Sequence, residues 1–532
     1  MPVIRLQRDE LRKLGMDENE LLENVAMLGA DPKGIVDDEI LIEFFPDRPD
    51  LYTVEGVVRA MKGFLGKEVG APKYEVYEGA IKIDVDENLK NIRPYIVAAV
   101  IRGLDIDESM IKSMMDFQEK LHITVGRKRR KLAIGLHDLD KVKPPFKYVA
   151  MDKDFKFEPL GFQEKMSLED ILRRHPKGME YAHILENYEK YPLILDSAGN
   201  VLSFPPIING NLTQITTSTK NILVEMTGLD LFTLKFTLNT VVSAFADRGG
   251  KVEDVKIFYP DFTLRTPEME YLRMSVDKDY IFSLIGEELS DDDIKNALLK
   301  MRYDVSIDEK KVNVIIPPYR MDILHPVDIV EDIAKGYGYH RFEPQLPRGG
   351  IILHKFEEKE NRIRELMIGL GFLEVTTLTI TSFQQQYKWM RIDEERYVEI
   401  ENPISEEGNT LRAWIIPSLM EILKKNKHRE LPQKIFEVGY VRKNAMEKHL
   451  AWVYIDSSAS FTLAKSLAEA ILRDMGINNF KIQEKEHHSF IDGRCASIII
   501  GEEEIGFFGE LHPEVIENFQ LGYPIIAMEI KI

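Results

Sequence analysis

The stretch Pro317–Tyr339, PPYRMDILHPVDIVEDIAKGYGY, constrains the fold more than any other part of the chain. Pro326 presets the backbone angle that a first helical position needs, and the glycines Gly336 and Gly338 mark the exit. Asp328, Glu331 and Asp332 then fall at i, i+3 and i+4 and share one helix face. Asp322, on the incoming chain, can fold back to meet them. Like charges on one patch repel unless a cation or a basic partner neutralises them, and a hard-oxygen set of this kind suits Mg2+. The competing reading is plainer: acids in a first turn are favoured by the helix dipole alone. From the residues, both readings stay open.

A chain of 532 residues is too long for one core, so several domains are expected. Its formal net charge of −19 argues against a protein that grips nucleic acid over its whole surface, though not against local basic contacts. The single cysteine, Cys495, excludes an intrachain disulfide and a multi-cysteine zinc site, and fits a reducing compartment. The start, MPVIRLQRDE, lacks the apolar core of a signal peptide, and no apolar run reaches membrane-spanning length. A cytoplasmic location without membrane contact is the expectation.

Periodicity divides the chain into four parts. Residues 1–90 carry a helical pattern at DENELLENVAMLGA, a strand at Ile40–Phe45, a proline turn, and a helix near Thr53–Phe64 that Asp50 is placed to cap. Residues 91–266 read as a mixed α/β domain. YIVAAVIRGL is a strand, and DESMIKSMMDFQEKLHITVG is an amphipathic helix. After that helix comes an unbroken basic run, Arg127, Lys128, Arg129, Arg130 and Lys131, which reads either as an exposed turn or as a phosphate contact. The double proline Pro205–Pro206 before IING fixes a loop of the kind that often lines pockets. Residues 267–345 read as a small helix-plus-hairpin domain holding the acidic segment. EPQLPRGG is a linker, and residues 350–532 read as an antiparallel sheet with helices on one side, LEVTTLTITS being one of its strands. Phe356, Ile363, Leu366, Met367 and Leu370 make the apolar face of its first helix.

Motifs for nucleotide or metal chemistry are otherwise poor. There is no GxxxxGK[ST], no GxGxxG in strand–helix context and no HExxH. The pair His487–His488 reads as ordinary polar structure. No catalytic centre can be located from spacing alone.

Four segments, in order along the chain, carry a resemblance. They are FFPDRPDLYTVEGVVRAM; LHITVGRKRRKLAIGLHDLD with FPPIING; PPYRMDILHPVDIVEDIAKGYGYHRFEP; and NPISEEGNTLRAWIIPSLMEILKKN with IFEVGYV and GFFGELHPEVIENF. Together they resemble the beta subunits of phenylalanyl-tRNA synthetases in their shorter, archaeal-like form. The resemblance implies a partner, an alpha subunit, in an alpha2beta2 tetramer that uses ATP to join phenylalanine to tRNA(Phe), with the aminoacylation site on the alpha subunit. It implies an α+β multidomain chain. Residues 91–266 are then similar to a B3/B4 editing domain that hydrolyses Tyr-tRNA(Phe), and residues 267–345 to a B5 domain. Residues 350–532 are similar to a class II synthetase core that has lost catalysis and serves assembly.

The same resemblance implies that Asp322, Asp328, Glu331 and Asp332 are Mg2+ ligands near the junction with the alpha subunit. It makes His122, Arg127, Leu202, Pro206 and Asn209 the editing candidates. Arg412 stands where a motif 2-like arginine belongs, while GFFGELHPEV replaces the glycine-rich, arginine-ending motif 3. Bacterial-type members are longer, and this chain is expected to lack their oligonucleotide-binding insertion and anticodon-reading domain. Two rival expectations follow from the same residues: a free-standing editing hydrolase, and a purely structural tRNA-binding or assembly protein.

Overall fold

The computed structural model describes residues 2–344, 346, 358–393 and 397–532. Phe356 and most of the expected linker lie outside them. The chain divides into two compact units, residues 1–346 and 347–532, both mixtures of helix and sheet. Among the described residues no helix is long and apolar enough to cross a membrane.

The first unit is organised by the strand Tyr95–Arg102, which is apolar at nearly every position because it is covered on both faces. Its side chains alternate between two cores. Val97, Ala99 and Ile101 join a large cluster with the helices Glu108–Ile123 and Leu231–Asp247, while Ile96, Ala98 and Val100 join a second cluster across the sheet. The neighbouring strand Ile222–Gly228 follows the same rule: Ile222, Val224 and Met226 face the helices, and Leu223 faces the other way. By register, Glu225 shares the face of Leu223, although its side chain is charged.

The order of this sheet sets up the site. Leu132–Asp138 is one end strand and Ile208–Asn209 the other, with Ile222–Gly228 and Val201–Phe204 next inward at the two ends. The sheet curls until its ends meet. Asn209 Nδ2 donates to the Leu136 carbonyl at 3.4 Å, and the His137 ring nitrogen Nδ1 lies 2.8 Å from the Thr213 hydroxyl. The seam so formed is roofed by the Glu108–Ile123 helix, whose N-terminus is capped by Asp107.

The large apolar cluster does not stop at the mixed sheet. It runs from Ile4 in the N-terminal three-stranded sheet to Ile333 in the acidic helix. Asp50 does not cap a helix as expected. It is buried and paired with Arg48 (2.8 Å), and the Val54–Phe64 helix starts at Thr53 instead. Two bonds from one guanidinium satisfy a buried carboxylate better than solvent-exposed backbone would. The small helix-plus-hairpin region contains the strands Leu272–Asp277, Asp304–Ile307 and Lys311–Ile316 and the helices Lys278–Ile285, Asp291–Lys300 and Pro326–Tyr337.

The second unit is a seven-stranded sheet, antiparallel except where Leu373–Glu374 pairs in parallel with Gln433–Arg442. Helices cover both faces, not one. Ala451, Val453 and Ala527 pack on Ile416, Leu419 and Met420, and Leu450, Trp452 and Met528 pack on Ala464, Ala468 and Ile471 with Ile363 and Met367. The central strands alternate apolar with apolar, which buries both faces. The expected strand at LEVTTLTITS is broken into Leu373–Glu374 and Ile380–Thr381, which pair with different strands.

Candidate functional site

The curled sheet encloses a cavity of about 520 Å³. Its walls are mostly apolar, from Ile111, Met114 and Met115 on the helix to Pro205, Pro206 and Ile207 on the loop. Polar side chains enter from Gln118, Glu119, His122, Arg129, Lys177, Ser203, Asn209, Thr213, Gln214 and Glu225.

Glu225 is the group that stands out. Its side chain is buried, and its Oε2 has no hydrogen-bond partner among the described residues. His137 Nε2 lies 3.6 Å from its Oε1 and is likewise unpartnered. Gly135 sits opposite Glu225 in the register, and a Cβ there would fall 2.2 Å from the carboxylate. The glycine is required for space, because a side chain at 135 would fill the place of the acid. A buried unpaired carboxylate oxygen is costly unless something donates to it, which leaves Oε2 open to a donor from within the cavity.

His122 plays a different part. The Ile134 N–H donates to its Nε2 at 2.8 Å, so the ring hydrogen is on Nδ1, facing Glu119 at 3.5 Å. Burial holds the ring far below its usual 6.5, at about 4, so it is neutral. Its lone pair is already spent on the backbone, which makes His122 a brace for the helix–strand junction and not a base for water. Glu119 in turn is pulled down to about 2 by His122 and by Arg129, whose Nη2 is 3.1 Å away. Arg129 also donates to the carbonyls of Ile207 (2.9 Å) and Pro206 (3.3 Å) and lies over the Tyr181 ring. It thereby fastens the double-proline loop to the helix.

The linkage is directional. Between pH 6.5 and 4 the unfolded chain takes up a proton at His122 that the folded chain refuses. The stabilisation is therefore complete above about pH 6.5 and fades as pH falls toward 4, by about 3 kcal/mol. Thermal unfolding of the first unit, followed at pH 7 and pH 4.5, should show that slope, and His122→Asn should flatten it. An unchanged slope in the variant would remove His122 as its source.

Of the five editing candidates, His122, Pro206 and Asn209 line the cavity, and Arg127 and Leu202 do not. The Leu202 side chain packs in the core below, while its carbonyl accepts from the Gly210 N–H at 2.8 Å. Arg127 is exposed on a turn in which Arg127, Lys128 and Arg129 all have positive φ, at 47, 54 and 64°. Left-handed backbone at non-glycine residues costs about 1–2 kcal/mol each. The turn is held from below by Arg93, which donates to the carbonyls of Arg129 and Arg130 at 3.3 Å. The sequence does not single out Glu225, His137 or Glu119, and it singles out Arg129 only as one cation of the basic run. The signal available was an acid in ILVEMTG and a histidine in LAIGLHD, polar residues inside otherwise apolar strands.

The four acids of the second candidate site are not brought into one group. Arg320 lies between Asp322 and Asp332, its Nη2 at 2.7 Å and 2.6 Å from them. Burial alone would raise Asp332, but Arg320 holds it below the carboxylate range, and Tyr303 donates to it. Asp328 accepts from the N–H groups of Leu324 (2.8 Å) and His325 (2.7 Å) as half of a capping box. Glu331 is exposed and pairs with Lys335 at 2.8 Å. Among the described residues no cluster of three or more His, Cys, Asp or Glu is placed to hold a metal ion. In the chain by itself this set does not fit Mg2+, because an internal guanidinium already supplies the positive charge.

Comparison with known proteins places these features. Residues 342–532 match the model of the phenylalanyl tRNA synthetase beta chain CLM domain, residues 274–339 that of the tRNA synthetase B5 domain, and residues 83–259 that of the B3/4 domain. The chain is 45% identical to a phenylalanine–tRNA ligase beta subunit of Methanococcoides burtonii, with all of both chains covered. The beta subunit of Pyrococcus horikoshii is also 45% identical, over 91% of this chain and 89% of that one. The chain belongs to the phenylalanine–tRNA ligase beta-subunit family. A crystal structure of an N-terminal fragment of the Pyrococcus horikoshii beta subunit matches with a TM-score of 0.62 and 42% identity, over 64% of this chain and all of that fragment. Within the family's layout, the seam cavity falls inside the B3/4 match and the Arg320 network inside the B5 match. As a beta subunit, the chain is one component of an aminoacyl-tRNA synthetase, a ligase of protein biosynthesis that acts as a complex.

Proposed function

We propose that this chain pairs with an alpha subunit that activates phenylalanine with ATP and transfers it to tRNA(Phe), in an alpha2beta2 assembly, and that its own seam cavity hydrolyses Tyr-tRNA(Phe). The observation that carries the editing reading is the buried, unpartnered Oε2 of Glu225 in an apolar cavity. Tyrosine differs from phenylalanine by one hydroxyl, and an apolar pocket discriminates poorly against an added hydroxyl. A second pocket with a carboxylate waiting for that hydroxyl reverses the preference: tyrosine donates to Glu225, and phenylalanine leaves it unpaired and desolvated. Pro205, Pro206 and Ile207 wall the ring, Asn209 and Ser203 stand at the sheet end for the ester, and His122 keeps the roof in place.

The second unit supports the assembly role. It is read as a class II synthetase-like core without catalysis. Arg412 is buried and turned inward, bound to Glu437 (2.8 Å), the Tyr440 carbonyl (2.7 Å) and Thr377 (2.7 Å). A guanidinium spent in this way has no reach toward a nucleotide phosphate. Around the short Thr410–Leu411 strand, Leu378, Ile380, Val398 and Ile404 are exposed, Leu378 by 80%. Apolar side chains grouped on a surface suit a protein partner. Magnesium belongs with that assembly. Asp322, Asp328, Glu331 and Asp332 would take up the ion only where the alpha subunit brings further oxygen ligands.

Co-purification with an alpha-type subunit tests the whole reading. The isolated chain is expected to charge no tRNA and to show no tight site for Mn2+, used as a spectroscopic stand-in for Mg2+. The complex is expected to aminoacylate and to gain that site. Charging by the isolated chain would sink the reading. No deacylation of Tyr-tRNA(Phe) by the complex would favour the purely structural role, and deacylation unchanged in both Asn209→Ala and His122→Ala would place the reaction outside the seam cavity.

A further inference from the structure

The basic turn does more than close a strand connection. Its five cations divide by direction. Arg129 reaches inward to the cavity wall, and Lys131 lies 3.7 Å from Asp230. Arg127, Lys128 and Arg130 are exposed and have no ion pair among the described residues. Directly beside the turn, the Leu229 N–H donates to the Lys131 carbonyl at 3.1 Å, and the chain then enters the Leu231–Asp247 helix. On its first turn Phe232 is 58% exposed and packs against Phe236, the rings tilted by 51° with centroids 4.5 Å apart. An exposed aromatic face backed by a second ring, next to three unpaired cations at the edge of a cavity, is the combination that holds unpaired nucleotides: charge follows the phosphates and the ring takes a base.

We propose that Arg127, Lys128, Arg130 and Phe232 form a platform for the single-stranded 3′ end of an RNA, delivering its terminal ester into the adjoining cavity. The proposal rests on the reading of that cavity as the editing site for its purpose, but not for its binding. Recognition is by backbone charge and stacking, so it tolerates changes of base. Arg93 holds the turn in its left-handed form and so keeps the three outer side chains splayed while the one between them, Arg129, points in.

The test uses the full chain and a fluorescent RNA hairpin ending in a four-nucleotide unpaired 3′ tail, compared with the same hairpin blunt-ended. Arg127→Ser, Lys128→Ser and Arg130→Ser together should weaken binding of the tailed hairpin at least about 10-fold and lower the slope of log affinity against log salt by about 2. Phe232→Ala should weaken it about 10-fold with the slope unchanged, and the blunt hairpin should not sense Phe232→Ala. Hydrolysis of 3′-O-tyrosyl adenosine, which lacks the tail, should be the same in all variants and shows that the cavity is intact. Equal binding of tailed RNA to the variants and the natural chain overturns the proposal. So does loss of the short-ester activity in the variants, which would make the turn merely structural. If the natural chain hydrolyses no tyrosyl ester while tailed binding falls as expected, the platform stands and the editing reading fails.

Discussion

Glu225→Ala is expected to lower hydrolysis of Tyr-tRNA(Phe) by about 100-fold, the largest loss for any single change in the cavity, while leaving aminoacylation by the assembled ligase intact. A hydrogen bond to a buried charge is worth about 1.5–3 kcal/mol, and its loss from the bound state translates directly into rate. The loss should fall on tyrosine alone. Hydrolysis of Phe-tRNA(Phe) is expected to rise or stay level, since phenylalanine no longer strands a carboxylate. Glu225→Gln keeps the shape and one acceptor and should lie between the two. His137→Ala should act in the same direction but less, because His137 faces Glu225 from 3.6 Å and cannot replace it. Steady-state deacylation of the two aminoacylated tRNAs measures all of this. Equal losses on Tyr-tRNA and Phe-tRNA would mean that Glu225 supports the fold and reads nothing. Gly135→Ala gives an independent check: the added methyl collides with the carboxylate, so it should reproduce the Glu225→Ala phenotype with Glu225 still present.

What the chain made legible follows from the range of each signal. Local patterns were readable. The helices at Glu108–Ile123 and Pro326–Tyr337 and the strand Tyr95–Arg102 all obey rules that span a few residues. The site itself depends on closure of the sheet. Asn209 and Leu136 are 73 positions apart and meet only because the two end strands curl together. No spacing rule encodes that meeting, which is why Pro206 and Asn209 were reachable through resemblance and Glu225 was not. The acid in ILVEMTG sits where alternation calls for an apolar residue. A charge in a strand buried on both faces carries a desolvation cost that packing alone does not repay, and that is the signal the sequence offers. The helices on both faces of the second unit were missed for a related reason. Its central strands, such as HLAWVYI, are apolar at consecutive positions, which periodicity cannot distinguish from a one-faced strand with a few exposed apolar residues.

Arg320→Met is expected to destabilise the first unit by about 3–5 kcal/mol, the usual consequence of leaving a buried charge without its partner. The guanidinium is buried and bridges Asp322 and Asp332, so its removal leaves two carboxylates facing each other across a low-dielectric gap. The effect should reach beyond the small helix-plus-hairpin region. Arg59, Tyr319, Asp50 and Arg48 form an adjoining buried network that ties the N-terminal sheet to the chain just before Arg320, so the whole unit is expected to unfold in one step at a lower temperature. Arg320→Lys should recover little, since one ammonium lacks the planar fork that bonds both acids at once. The double variant Arg320→Met with Asp332→Asn should recover a large part, because it removes the uncompensated charge as well as the arginine. Calorimetry at pH 7 decides between these outcomes. Two separate transitions in Arg320→Met would show that the apolar continuity from Ile4 to Ile333 does not make one cooperative unit. The same variant also separates arginine from ion. With Arg320 gone, Asp322 and Asp332 regain free oxygens, and millimolar Mg2+ should raise the unfolding temperature of the variant while leaving the natural chain unmoved. That contrast would establish that guanidinium and divalent ion compete for the same carboxylates.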